Sequence, residues 1–316
     1  MPNGDTMLNL RKIRYFLAVV DHGSLSGAAS ELGVSQPTLT QQVAALEGHL
    51  EQRLLLRTTS GVTVTEAGRT FYRHARSLAV QIEHAEAEVS SIGNAGSGQV
   101  SLGLATCGAA STLALPVLRR MQTLHPTIIL RLNDNFAGTL SEFIMTGRID
   151  LALAYTAPPM TGVVCRELFI EELVVVAPAS IKLKTRGSSV SVPALRDLPI
   201  VLLSPIHFLR AVIDRTCARA AFEPRVVAEI DSLAALLEAV SSGLGVTILP
   251  RAALTPAAAS LAHRLGPEPV EVTVSLCTSA QLPVTASIEA VGALVASLVE
   301  ERLADGSWPG VRRFAH

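Results

Sequence analysis

Apolar positions recur at helical spacing through the first ninety or so residues and in short β-branched runs after them. In residues 8–21, Leu10, Ile13, Phe16, Leu17 and Val20 make one helical stripe, which His22-Gly23 ends. Residues 24–32 give a short second helix with Ala28, Ala29 and Leu32 on it. Gly33 suits a left-handed stop, Ser35 an N-cap and Pro37 the first turn of a third helix. Two helices joined by a short Gly-containing turn predict a helix-turn-helix. On the third helix Leu39, Val43, Leu46 and Leu50 form the core face. The opposite face carries Pro37, Gln41, Ala44 and Gly48, flanked by Thr38, Thr40 and Ala45. An ordinary solvated face carries Lys and Glu, and this one has almost none. Small residues let a helix sit deep in a major groove, where Gln and Thr read base edges.

Residues 53–64 read as a hairpin wing around Thr58-Thr59-Ser60-Gly61. Its basic residues Arg53 and Arg57 can reach phosphate; surface ion pairing is the alternative for each. Thr65-Glu66 opens a long helix running to about residue 92. Phe71, Ala75, Leu78, Ile82, Ala85, Val89 and Ile92 alternate spacings of 4 and 3, an a/d seam over three heptads. The seam predicts pairing with a second copy of the chain, with packing on its own domain as the alternative.

The pattern changes at Gly93-Asn94-Ala95-Gly96-Ser97-Gly98, a flexible joint. Strand 99–105, helix 111–124, strand 128–133, helix 138–147 and strand 150–155 follow, the order of a parallel doubly wound sheet. Pro158-Pro159 and Thr161-Gly162 mark a crossing. A second set has strands at 173–177, 200–203, 225–229 and 246–249, with helices near 207–221 and 232–242. Strand 270–277 and helix 284–303 complete the chain. The stretch from Trp308 onward, with Arg312 and Arg313, shows no readable pattern.

Composition narrows the function. The 316 residues are 49% hydrophobic and 17% charged, enough to build large cores and too apolar for general disorder. No uncharged apolar run reaches the roughly 18 residues of a membrane helix. The N-terminus lacks the pattern of a secretory signal, so a cytoplasmic location is expected, with Met7 as an alternative start to Met1. Net charge is −1. Residues 1–92 hold 8 Lys or Arg against 9 Asp or Glu, so global charge gives nucleic-acid binding no support. The four cysteines, Cys107, Cys165, Cys217 and Cys277, stand more than 50 residues apart. They form no CxxC pair or metal spacing, and no disulfide scaffold, metal or cofactor is expected.

The chain resembles a LysR-type transcriptional regulator over essentially its whole length, most sharply over residues 8–70. The matching text is Ile13-Arg14-Tyr15-Phe16, Gly23-Ser24-Leu25-Ser26-Gly27-Ala28-Ala29 and Leu32-Gly33-Val34-Ser35-Gln36-Pro37-Thr38-Leu39. It continues through Gln41-Gln42-Val43, Leu46-Glu47, Leu55-Leu56-Arg57 and Thr65-Glu66-Ala67-Gly68. The run RTTSGVTVTEAGRTFYRHAR looks like the nitrogen-assimilation-control branch. The resemblance implies a winged helix-turn-helix over 1–64 and a linker and dimerisation helix with hinge over 65–97. It implies a periplasmic-binding-protein-like α/β effector domain of two subdomains, 98–163 plus 268–305 and 164–267, with a tail over 306–316. It also implies a homodimer or homotetramer on double-stranded promoter DNA, with Gln36, Pro37, Thr40 and Gln41 in the major groove and the wing in the minor groove. Many members carry an extra basic residue near the wing tip, where this chain has Thr59-Ser60. The DNA-contact set is Ser35, Gln36, Pro37, Thr38, Thr40, Gln41, Arg53 and Arg57.

Effector contacts are implied at Thr106, Cys107, Ser204 and His207. Thr106-Cys107-Gly108 and Ser204-Pro205-Ile206-His207 each end a strand just before a helix, and free N–H groups there suit a small anion. The alternative is that the Thr106 and Ser204 hydroxyls merely cap their helices. Cys107 as a redox sensor is a further alternative, with no second Cys near it in sequence. An enzyme is not expected, since GxSxG, P-loop, metal triad and Cys/His pairing are all missing from the sequence. A solute receptor would need a secretion signal.

Overall fold

The computed structural model describes residues 8–58, 61–90, 98–156 and 162–314, apart from the side chains of Arg57, His84, Ala87, Glu88 and Ser90. The chain divides into two compact units, one built on the residues up to 92 and one on those that follow.

The first unit runs α1 (Leu10–His22), α2 (Leu25–Glu31), α3 (Gln36–Leu50), β1 (Leu55–Thr58), β2 (Gly61–Val64) and α4 (Glu66–Ser90). Its boundaries are set by local chemistry. Asn9, Ser24 and Ser35 each accept a backbone N–H at the start of their helices. Gly23 and Gly33 take the left-handed conformation at the two turns. Ile13, Phe16, Leu17, Ala28, Leu39, Val43 and Leu46 close one core.

The wing is held at both ends. Glu47 Oε1 accepts the N–H groups of Leu54 and Leu55 at 2.8 and 3.0 Å. Val62 N–H donates to Gly23 O at 2.9 Å. Thr65 accepts Gly68 N–H at 2.9 Å and donates to Arg53 O at 2.7 Å, so it caps α4 and ties that helix to the wing. A Cβ at Gly68 would collide with Leu54 O, which explains glycine there. Phe71 packs edge-on against Phe16 at 5.2 Å, and Ala75 is buried. Further along the same seam Leu78 and Val89 are exposed. The N-terminal turns of α4 therefore pack on their own domain, and the rest offers an apolar stripe. Ile92 and the 93–97 joint lie outside the described residues, as do Thr59 and Ser60 at the wing tip and Pro158, Pro159 and Thr161 at the expected crossing.

The second unit begins with β3 (Gly98–Ala105), α5 (Ala109–Thr112), α6 (Ala114–Leu124), β4 (Ile128–Asn135), α7 (Ala137–Met145) and β5 (Leu151–Tyr155). β3 lies between β4 and β5 and parallel to both. The single helix expected over 111–124 is two, parted at Leu113. Next come β6 (Val163–Val176), β7 (Thr185–Arg186), β8 (Ser189–Val190), β9 (Ile200–Leu202), α8 (Phe208–Arg219) and β10 (Val226–Glu229). The chain closes with α9 (Leu233–Ser241), β11 (Thr247–Pro250), α10 (Pro256–Ala259), β12 (Ala262–Leu265), β13 (Val270–Ser279), α11 (Ala286–Ala304) and β14 (Val311–Arg313).

The sheet is mixed rather than wholly parallel, because β13 runs antiparallel to both β5 and β6. β6 begins ten residues ahead of the strand expected at 173–177 and straddles the boundary expected at 163/164. It pairs with β13 from Val163 to Leu173, then with β11 and β12 over its last residues. Its first half hides in the sequence because exposed Arg166 and Glu167 interrupt the apolar run. The C-terminal stretch is part of the core. β14 pairs with β6, Trp308 packs on Phe169 at 5.1 Å and its Nε1 donates to Thr112 Oγ1 at 3.0 Å. Arg312 forks onto Glu271 at 2.9 and 2.7 Å.

Candidate nucleic-acid interface and effector cleft

Burial along α3 follows the helical wheel. Leu39, Val43 and Leu46 are buried, whereas Gln36, Pro37, Thr38, Gln41, Ala44 and Gly48 are exposed and Thr40 is half-buried. Ser35 and Thr38 are engaged locally. Their hydroxyls share a 2.7 Å hydrogen bond, and Ser35 Oγ also accepts Thr38 N–H at 3.3 Å. The side chains on this face free for outward hydrogen bonding at the N-terminal end are thus Gln36, Thr40 and Gln41. Arg53 is exposed beside the wing root. Arg57 lies on β1, but its side chain is outside the described set.

In the second unit the four expected effector residues come together at the carboxyl ends of β3 and β9. Thr106 N–H donates to Asn135 O at 3.2 Å, which joins the ends of β3 and β4. Phe136, just past β4, packs its ring 4.0 Å from that of His207. Asp231, just past β10, accepts Ser204 N–H at 2.9 Å and Ser204 Oγ–H at 3.0 Å, and lies 3.2 Å from His207 Nε2. Neither hydroxyl caps its helix: the N-caps are Gly108 for α5 and His207 for α8, and neither makes a side-chain capping bond.

Two carboxylates already take part of the donor set that pointed to an anion. One is Asp231 on Ser204. The other is Glu171, fully buried on β6, whose Oε1 accepts Ala109 N–H at 2.7 Å and whose Oε2 accepts the Tyr155 hydroxyl at 3.1 Å. Burial raises Glu171 to about 7 despite these two donors. Burial lowers His207 against the opposing pull of Asp231, so the imidazole favours its neutral form. Burial works upward on Asp231, but the Ser204 donors and His207 hold it below the usual range. Burial pushes the Cys107 thiol up to about 11. A buried, protonated thiol is a lining group and the opposite of an activated sensor. Asp231 directly precedes Ser232, which caps α9 by accepting Ala235 N–H at 3.4 Å, and sequence reasoning did not single Asp231 out as a cleft residue. Sequence reasoning also missed Phe136, Tyr155 and Glu171. An acid pair inside the apolar run Phe169-Ile170-Glu171-Glu172-Leu173 was the available signal for Glu171.

Family models match two stretches of the chain: "Bacterial regulatory helix-turn-helix protein, lysR family" over residues 10–69, and "LysR substrate binding domain" over residues 93–300. The chain belongs to the LysR family. LysR regulators bind promoter DNA, form oligomers and bind small-molecule effectors through the substrate-binding domain, and this chain is a DNA-binding transcriptional regulator of that kind, not an enzyme. Among curated relatives, the nitrogen assimilation regulatory protein nac of Escherichia coli is 36% identical over 295 residues, covering 92% of this chain and 95% of that protein. The regulator BbuR of Bordetella bronchiseptica is 29% identical, with 98% and 96% covered. Among solved structures, a full-length OxyR variant from Pseudomonas aeruginosa superposes with a TM-score of 0.66 at 22% identity, covering 94% of this chain and 95% of that one. Full-length CbnR in complex with its target DNA gives 0.59 at 23% identity, covering 93% and 99%. At such identities the two structures carry the LysR fold and no more. No helix among the described residues is long and apolar enough to cross a membrane.

Proposed function

We propose that the α3 face of Gln36, Pro37, Thr40 and Gln41 reads base edges in the major groove of promoter DNA, while Arg53 and Arg57 contact phosphate. Ser35 and Thr38 hold the start of the reading helix in place. The observation that carries this is the exposed, nearly chargeless face of α3, mounted on a core that Glu47, Gly23 and Thr65 lock to the wing. The exposed α4 stripe of Leu78 and Val89 pairs two protomers, with dimer and tetramer both open. Thr106, Cys107, Ser204 and His207 line the effector cleft between the two proposed subdomains, 98–163 plus 268–305 and 164–267. With Asp231 and Glu171 already on the strand-end donors, the cleft favours a neutral polar or cationic effector over an anionic one. Ligand-driven closure of the cleft changes protomer geometry on the promoter. As a promoter-bound regulator the protein works in the cytoplasm.

The likeness to the nac regulator supports a role in controlling nitrogen-assimilation genes. A gel shift and DNase footprint on the region upstream of the protein's own gene, followed by genome-wide binding under nitrogen limitation, tests these readings. Protection over several helical turns, together with bound sites at nitrogen-assimilation genes, supports them. Absence of sequence-selective protection at any bound site overturns the DNA-reading assignment. Selective sites confined to unrelated genes overturn the nitrogen role alone.

A further inference from the structure

Cys165 on β6 and Cys277 on β13 are direct cross-strand partners in the antiparallel pair. Their sulfurs stand 2.8 Å apart, and both thiols are free. Directly opposed residues of an antiparallel pair have Cα separations that fall inside the disulfide range. A bond of about 2.05 Å requires the two sulfurs to approach by less than about 1 Å. Cys165 is half-buried and Cys277 fully buried, so one thiol is open to a reagent and the other waits behind it. The remaining thiols, Cys107 and Cys217, are buried and pushed by burial up to about 11. Cys165 differs: the Cys277 thiol beside it lowers its value, while Cys277 itself is held up by the same contact and by burial.

We propose that Cys165 and Cys277 form an oxidation site of the effector unit, which hydrogen peroxide closes to a cross-strand disulfide. Cys165 gives up its proton and attacks a peroxide oxygen as the thiolate, becoming a sulfenic acid as the O–O bond breaks; the expelled hydroxide takes up that proton and departs as water. The Cys277 sulfur then attacks the Cys165 sulfur. The S–O bond breaks, and the hydroxide leaves as water with the Cys277 proton. The peroxide is reduced by two electrons, two thiols are oxidised to one disulfide, and two waters form. The bond fixes β6 to β13 two residues past Ser275, where the register shifts after Val274.

The test treats the full-length chain with graded hydrogen peroxide, then counts thiols under denaturing conditions and maps disulfide peptides by mass spectrometry. The expected result is a fall from four free thiols to two. It comes with a mass lower by about 2 Da, a Cys165–Cys277 linked peptide and full recovery with dithiothreitol. Cys165→Ser should keep its three remaining thiols reduced at the same dose, and a Cys107→Ala/Cys217→Ala variant should still close the bond. Three outcomes overturn the proposal. These are all four thiols surviving a dose that fully oxidises free glutathione, higher oxides on Cys165 without the linked peptide, and disulfides only between protomers.

Discussion

Gln41 and Glu171 are single side chains with opposite settings, one exposed on α3 and one sealed in the effector unit. If Gln41 reads a base edge, Gln41→Ala should reduce the ratio of promoter to random-DNA affinity by roughly 5- to 150-fold per base contact, the range of a bidentate pair. Titrations of both DNAs at one salt concentration measure that ratio, and an unchanged ratio sinks the assignment. For Glu171 the sign follows from its environment. Burial lifts the carboxyl from 4.5 to about 7, so the folded chain keeps a proton that the unfolded chain gives up earlier. The protonated acid's contribution to stability is complete below about pH 4.5 and is lost as pH rises toward 7, on the order of 3 kcal/mol in total. Glu171→Gln cannot ionise. Urea unfolding of wild type and variant from pH 4.5 to 7 should show the wild type losing ground against the variant; a constant difference would mean that Glu171 titrates normally.

Among the elements, α4 has the most divided role. Phe71 and Ala75 bind it to the helix-turn-helix core, and its later seam residues Leu78 and Val89 face outward. Leu78→Asp places a charge on the proposed pairing stripe without touching the residues that fix the wing. Losing one buried Leu from each protomer is worth about 3–6 kcal/mol, or about 150-fold and upward in the dimer dissociation constant. Sedimentation velocity over a concentration series measures the shift, and an unchanged association curve would place the pairing surface elsewhere. α3 and the wing, by contrast, act as one piece. Glu47 reaches from the end of α3 to the first residues of the wing, so the helix cannot tilt without moving the hairpin.

For the whole molecule, charge decides how it meets DNA. The chain carries a net charge of −1, and the proposed phosphate contacts are two arginines per protomer. A dimer would then displace counterions at about four phosphates, giving a slope of roughly −4 in log affinity against log salt. Arg53→Ala should flatten that slope by about 2, one contact from each protomer. Fluorescence anisotropy from low to moderate salt measures both. A much steeper slope, or no change in the variant, would show that other basic groups carry the backbone contacts. With so little non-specific attraction, selectivity depends on base reading and on the spacing that two protomers impose.

The helix-turn-helix, the wing and the long helix were legible in the sequence because their determinants are local. Ser35 caps three residues ahead, Gly23 and Gly33 turn where they stand, and the Leu39–Val43–Leu46 face repeats within a few turns. The strand ends at Thr106 and Ser204 were legible for the same reason, as apolar runs stopping at a helix start. What fills those strand ends was not. Ala109 finds Glu171 62 residues away, Ser204 finds Asp231 27 away, Cys165 meets Cys277 112 away and Trp308 reaches Thr112 across 196. The first half of β6 and all of β14 are strands because partner strands pair with them, not because their own patterns demand it. Residue type and spacing determined which elements form and which face of α3 is bare. Only the tertiary structure decided which carboxylates reach those strand ends, and which two thiols lie side by side, since long-range strand register has no local signature.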